Sequence, residues 1–320
     1  MPCSNPSPGY FKQCPFTGEN KLVFSGSLRK IFRGGDSLTQ GDVLIPCGQC
    51  LYCRVKNSRE WAIRCMHEAE MHPVNAFVTL TFDDVNLRKF CPDGSLNKAH
   101  MVDFMKRLRR ADEYAREKSG LPFRSIRALY CGEYGGITQR PHYHALLFNC
   151  DFPDQVFYKR RGVNRYYNSD FLQRVWPYGF AVIGNVEYSS AAYCARYVTK
   201  KITGVKAFDH YQGREPEFAQ ASRKPGLGYD WLIKNFSDVY PSDEVVVVNS
   251  KSSFKLRPPR YYDKILKEID PEMYLRVKQK RLESSVQDEL PDFSDLVREG
   301  NAFKKNMQHL VRSLEVSYDS

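Results

Sequence analysis

Two short segments hold the side chains best suited to chemistry: Pro141-His142-Tyr143-His144, and further along Tyr193-Cys194-Ala195-Arg196-Tyr197-Val198-Thr199-Lys200-Lys201. On a strand, residues i and i+2 project to the same face roughly 7 Å apart, so His142 and His144 can grip one divalent cation. On a helix, Tyr193 and Tyr197 at i and i+4 share a face, with Lys200 and Lys201 one turn beyond. A phenol with a pKa of about 10 becomes a useful nucleophile only when its phenolate is stabilised. Neighbouring lysines and a metal-polarised phosphate do that. Two tyrosines add a logic that one lacks. The first takes a 5′-phosphate at a nick, and the second cuts the regenerated junction, freeing a 3′-hydroxyl that attacks the first linkage and closes a circle.

These side chains need elements that aim them. Residues Ile126–Tyr134 and His142–Phe148 read as two strands joined through Gly135 to Arg140, a hairpin. If it pairs Tyr134 with Pro141, Glu133 lies across from His142 on the same face. Two imidazoles and one carboxylate then form a three-ligand set suited to Mn²⁺ or Mg²⁺. Asp83, Asp84 and Glu187 are the reserve carboxylates. The alternating Ala76–Phe82 reads as another strand, and Gly179–Glu187 as a third leading into a tyrosine-bearing helix from Ser189 to Ile202. Taken singly, His-x-His also fits satisfied core imidazoles, and Tyr-x-x-x-Tyr an aromatic packing pair. Their succession favours phosphoryl transfer.

The spacing predicts a helix from Asn57 or Ser58 through His72, closed by Pro73. A second runs from Asn97 to Lys118, with Met101, Met105 and Leu108 inward and Gly120 and Pro122 beyond its end. The outer face of the second carries Lys106, Arg107, Arg109 and Arg110. That strip, with Arg140, is either a solvated face or a phosphate-contacting surface. A short helix spans Ser169–Val175, residues 213–228 read as loop, Tyr229–Phe236 as a short helix and Val245–Val248 as a strand. The order strand, helix, hairpin, helix, strand, helix predicts an α+β domain, an antiparallel sheet with helices packed on one face, which leaves the histidine face open. Three regions follow: an irregular N-terminal arm over 1–46, a central domain over 47–264 that starts at a cysteine cluster, and a charged, helical tail over 265–320.

A net charge of +11 across 320 residues favours an anionic partner such as nucleic acid, and 20 Tyr with 20 Phe supply stacking surfaces for unpaired bases. No apolar run approaches the ~20 residues of a membrane span, and the N-terminus lacks a signal-peptide core, so a cytoplasmic setting is expected. Ten cysteines, unevenly spaced, do not make a secreted disulfide scaffold. Cys47-x-x-Cys50-x-x-Cys53 instead offers three ligands of a structural Zn²⁺ site, with Cys3 or Cys14 as the fourth. Cys65 falls on the apolar face of the first helix.

Three motifs in order make the chain resemble the HUH endonucleases, and among them the replication initiators of the Microviridae, closest to the gokushovirus branch. Phe77-Val78-Thr79-Leu80-Thr81-Phe82-Asp83-Asp84 is similar to the first motif strand. Gly132-Glu133-Tyr134-Gly135 with Arg140-Pro141-His142-Tyr143-His144 is similar to the metal motif, and Tyr193 to Lys201 resembles the two-tyrosine motif. Further similarity runs from Cys47-Gly48-Gln49-Cys50 through Glu68, over Lys224-Pro225-Gly226-Leu227-Gly228, and at Leu256 with Pro259-Arg260-Tyr261-Tyr262-Asp263-Lys264, so that most of 43–264 is covered. The resemblance implies a five-stranded antiparallel sheet of RRM-like form. It also implies nicking of single-stranded origin DNA, a 5′-phosphotyrosyl intermediate and rolling-circle replication in the cytoplasm of a host bacterium, with a host helicase as a candidate partner of the tail. A plasmid initiator or relaxase shares this chemistry. A non-catalytic DNA-binding or packaging protein is the alternative from a different class.

Overall fold

The computed structural model describes residues 3, 6–13, 20–24, 42–136, 138–162, 164–200, 205–248, 253–284 and 293–308. The chain divides into two units, one of residues 1–57 with 282–311, the other of 58–281 with 312–320.

In the first unit, strands β1 (Ser7–Gln13), β2 (Asn20–Phe24) and β3 (Asp42–Ile45) form an antiparallel sheet in the order β2-β1-β3. The segment expected to be an irregular arm therefore carries a paired sheet, with β2 at one edge. Its register sets Ser7 opposite Ile45. Cys3 thus falls close to Cys47, and the sulfurs of Cys3, Cys47, Cys50 and Cys53 all lie within 4.8 Å of one another. Cys14 lies outside the described residues.

The second unit is built on seven strands. Helix α1 (Leu51–Glu70) leads to β4 (Asn75–Thr81), α2 (Asp84–Phe90), α3 (Lys98–Lys118), and the hairpin β5 (Arg127–Tyr134) and β6 (Pro141–Phe148). A second hairpin, β7 (Val156–Arg161) and β8 (Asn164–Asn168), precedes α4 (Asp170–Val175), β9 (Ala181–Gly184) and α5 (Tyr188–Lys200), and β10 (Phe218–Ala221) follows. The strand order is β10-β5-β6-β4-β9-β8-β7, every pairing antiparallel. Beyond β10, helices Tyr229–Lys234, Arg260–Ile269 and Pro271–Glu283 and the ribbon Val245–Val248/Ser253–Leu256 surround a third apolar cluster that includes Leu232, Val247, Tyr262 and Leu266.

The α+β class is as expected, but the sheet has seven strands where about five were expected. Four of the seven, β4, β5, β6 and β9, are strands read from the sequence; the additions are β10, inside the 213–228 segment read as loop, and the β7/β8 hairpin, while Val245–Val248 pairs in a separate ribbon. Helix α1 also starts at Leu51, six residues before Asn57. The larger difference is the layering. Val78, Leu80, Tyr143, Ala145 and Leu147 meet Met101, Phe104, Met105 and Leu108 of α3 on one face. Phe77, Leu129, Cys131, Leu146 and Phe148 meet Ala62 and Cys65 of α1 and Ala191, Tyr193 and Cys194 of α5 on the other. Helices cover both faces, because the histidine strand carries large apolar residues at Leu146 and Phe148 that also need burial.

Local signals place these elements. Asn97 caps α3 by accepting from the Ala99 N–H at 2.9 Å, and Ser169 caps α4 by accepting from the Leu172 N–H at 3.0 Å. Gly179 lets β9 leave the end of β4: a Cβ there would sit 2.3 Å from the Asp83 nitrogen and 2.5 Å from the Thr81 oxygen. Moving them would break the Asp83 N–H bond to the Tyr178 carbonyl and the reciprocal Thr81–Phe180 hydrogen bonds. Gly179→Ala should cost more than about 2 kcal/mol by denaturant unfolding. Gly94→Ala, at φ +66° with nothing within 4 Å, should cost only about 1 kcal/mol. Equal midpoints for the two variants would contradict the packing.

Candidate active site

The β5/β6 register sets Tyr134 opposite Pro141, Glu133 opposite His142 and Cys131 opposite His144, while β4 sets Thr79 against the other side of His144. Side chains of alternate residues share a face, so Glu133, His142, His144 and Thr79 converge. One carboxylate oxygen, Glu133 Oε1, lies 2.9 Å from His142 Nε2 and 2.8 Å from His144 Nε2. Helix α5 lies over β10, β5 and β6 and brings the Tyr193 hydroxyl to the same oxygen at 2.5 Å, and within 3.5 Å of His144 Nε2. The tyrosine ring stands edge-on to His144 at 5.0 Å, and the Arg196 guanidinium lies 5.0 Å from its centroid.

The site is buried. Glu133 is 3% exposed, His142 8%, His144 0% and Tyr193 3%. The expectation of an open histidine face is therefore corrected: α5 and α1 pack over it.

Burial by itself would raise the Glu133 carboxyl. Hydrogen bonds from His142 and His144, with their charge, outweigh it and hold the group well below its ordinary range. The far nitrogens of both rings are also fixed. His142 Nδ1 lies 3.1 Å from the Arg140 carbonyl oxygen, and His144 Nδ1 2.9 Å from Thr79 Oγ1. A carbonyl only accepts, so Nδ1 of His142 carries the proton, and in the neutral ring Nε2 aims a lone pair at the Glu133 oxygen. That approach is favourable only with a proton or a cation between the two atoms. The donor chemistry, two imidazole nitrogens and a carboxylate oxygen all within 4.8 Å of one another, fits a divalent metal ion.

The reserve carboxylates are engaged elsewhere or set apart. Asp83 caps α2 by accepting from the Asn86 N–H at 2.8 Å, and Asp84 pairs with Arg140 at 2.6 Å. Glu187 lines a small cleft with Asn164, Arg165 and Ser190, floored by Phe77, whose ring stacks on His144 at 5.6 Å. Tyr197 lies one turn beyond Tyr193 on α5. Its side chain and that of Lys200 lie outside the described residues, as does Lys201. The basic residues of α3 are not brought here, since α3 packs on the opposite sheet face. Arg107 donates to the Val175 carbonyl and the Tyr178 hydroxyl, Arg109 to the Ile126 carbonyl, and Lys106 lies 3.9 Å from Asp103. Arg110 is exposed on that same helix.

A family model described as replication-associated protein ORF2/G2P matches residues 75–202, the span from β4 to just past α5. The chain is 34% identical over 244 residues to the replication-associated protein ORF2 of Spiroplasma virus 4, covering 74% of this chain and 72% of that one. It belongs to this family of phage replication-associated proteins. It is also 32% identical over 263 residues to the replication-associated protein VP4 of Bdellovibrio phage phiMH2K, covering 79% of each chain. To the replication-associated protein ORF4 of Chlamydia phage 1 it is 27% identical over 231 residues, 70% of this chain and 54% of that one. No solved structure matches.

Sequence reasoning missed Thr79 and Arg196 as neighbours of these groups, and the whole β7/β8 hairpin. Thr79 was within reach, because the alternation of β4 puts it on the face that the histidines share. Among the described residues no helix is long and apolar enough to cross a membrane.

The charge on Glu133 has a pH signature. Its folded pKa lies below the ordinary 4.5, so its stabilisation is complete above about pH 4.5 and is lost as pH falls through the depressed value. Below pH 4.5 the metal-free wild type should lose stability more steeply than Glu133→Gln, by up to about 1.4 kcal/mol per pH unit. Parallel slopes in acid denaturant titrations would show that Glu133 is not held ionised.

Proposed function

We propose that the chain is an HUH-type, metal-dependent nickase and strand-transferase that starts rolling-circle replication of a Microviridae-type phage on single-stranded origin DNA in the bacterial cytoplasm. The observation that supports this most is the Tyr193 hydroxyl at 2.5 Å from the oxygen that also faces both histidines. Within a family of replication-associated proteins, a tyrosine beside a three-donor metal set favours covalent strand transfer over DNA binding alone.

Glu133, His142 and His144 would hold Mg²⁺ or Mn²⁺, which when bound neutralises charge on the non-bridging oxygens of the scissile phosphate. Tyr193 attacks phosphorus in this reading. The new Oη–P bond carries the 5′-phosphate, and the bond to the 3′-oxygen breaks. The tyrosine proton is lost to solvent as the bond forms, and a proton from solvent goes to the leaving oxygen to give a 3′-hydroxyl. Arg196 lies beside the ring and adds positive charge there. Tyr197 makes the second cut, with Lys200 and Lys201 adding positive charge near the attack line.

Single-stranded DNA approaches over the β7/β8 hairpin rather than over α3. Residues 156–168 carry Lys159, Arg160, Arg161 and Arg165 and no carboxylate. Phe157 and Tyr158 are more than half exposed, as rings that stack on bases would be. The charged tail remains the candidate contact for a host helicase.

With Mn²⁺ or Mg²⁺, phage-origin single-stranded DNA should become covalently attached to the wild-type chain on a denaturing gel. Tyr193→Phe/Tyr197→Phe should give no adduct while still binding DNA. DNA binding by the wild type without adduct or cut in either metal would sink the nickase reading. Separately, Arg160→Ala/Arg165→Ala should flatten the salt dependence of binding by about 0.7 in log–log slope for each phosphate that is no longer neutralised. An unchanged slope would remove the hairpin from the DNA path.

A further inference from the structure

We propose that Cys3, Cys47, Cys50 and Cys53 bind one structural zinc ion that fastens the start of the chain to the turn before α1. The inference is independent of the nickase reading, because the four sulfurs belong to the other unit.

The geometry is that of a tetrathiolate. Four sulfurs at about 2.3 Å from a common centre, in tetrahedral array, stand about 3.8 Å apart. Here all four lie within 4.8 Å of one another, and Cys3 Sγ is 3.6 Å from Cys50 Sγ. That separation far exceeds the ~2.05 Å of a disulfide, and none of the four forms one.

The backbone is arranged for sulfur that carries negative charge. The Cys47 N–H donates to Cys3 Sγ at 3.3 Å, while the Gln49 and Cys50 N–H groups donate to Cys47 Sγ at 3.4 and 3.2 Å. Gly48, at φ +72°, supplies the left-handed residue that turns Cys47-x-x-Cys50 back on itself. Cys50 immediately precedes α1 and Cys53 lies in its first turn. Cys3 and Cys53 are buried.

Topology explains how a ligand so distant in sequence arrives. The pairing of Ser7 with Ile45 makes β1 and β3 neighbours at the end where Cys3 leaves one strand and Cys47 the other. The metal closes that end. Binding releases the thiol protons and couples metal affinity to folding of this unit.

Metal analysis of the purified full-length chain tests the proposal. A His142→Ala/His144→Ala variant, which removes the other metal set, should keep about one zinc per chain after dialysis, and a Cys50→Ser/Cys53→Ser variant should lose it. Since the second variant can fail to fold, the wild type with cobalt in place of zinc provides an independent readout. It should show the visible bands and sulfur-to-cobalt charge transfer of a tetrahedral tetrathiolate. Zinc removal should expose the amides of 42–53 to hydrogen exchange and leave β4 to β6 protected. Absence of bound zinc under reducing conditions, a cobalt spectrum without thiolate character, or iron in place of zinc would overturn it.

Discussion

The arrangement of the larger unit depends on one buried negative charge. Glu133 sits at 3% exposure in the middle of a sheet covered on both faces, where an uncompensated carboxylate would cost several kcal/mol. Its compensation comes from two elements at once: two imidazoles from β6 and a phenol from α5. Each imidazole is held in turn, His144 by Thr79 of β4 and His142 by the Arg140 carbonyl in the hairpin turn. A one-residue slip of β5 against β6 would turn Glu133 to the α3 face and strand the charge among Tyr143, Leu147 and Phe104. Register, layering and site are therefore one constraint.

That constraint also explains why the sheet carries helices on both sides. The strand bearing the histidines alternates His142, His144, Leu146 and Phe148 on one face, so polar and large apolar residues share the same side. Covering Leu146 and Phe148 with α1 and α5 also covers the histidines, and the site becomes a polar inclusion inside an apolar layer. The stack of Phe77 on His144 and the edge-on packing of Tyr193 continue the layer across the imidazole. A dry, low-dielectric setting of this kind strengthens the interaction between donors and whatever charge they hold.

Much of this was legible in the sequence, because the signals were local and periodic. The helix starts at Asn97 and Ser169 and the inward triad Met101, Met105 and Leu108 follow from spacing, and the pairing of Tyr134 with Pro141, posed as a condition, is the register found. What was not legible depends on partners distant in the chain. Strand β7 reads Val-Phe-Tyr-Lys-Arg-Arg without alternation, since as an exposed edge strand it has little core to face. Strand β10 lies among glycines and prolines that signal loop, and it forms because Phe218 finds Gly132, a position where a Cβ would come 2.6 Å from the phenylalanine ring. The closed histidine face was missed for a similar reason. Polar residues on one side suggest solvent unless they satisfy one another, and these do. Of the two cysteines the sequence offered as the fourth, Cys3 is brought to the other three by the β1/β3 register, which no motif spacing contains.

The central claim is that Glu133, His142 and His144 hold a divalent ion next to the tyrosine that acts on DNA. Electron spin-echo spectroscopy of Mn²⁺ bound to the full chain, with histidine labelled by nitrogen-15, tests it most directly. The account predicts coupling of the manganese to histidine nitrogen in the wild type that disappears in His142→Ala/His144→Ala. Bound manganese with no histidine coupling, or coupling that survives removal of both residues, would contradict it.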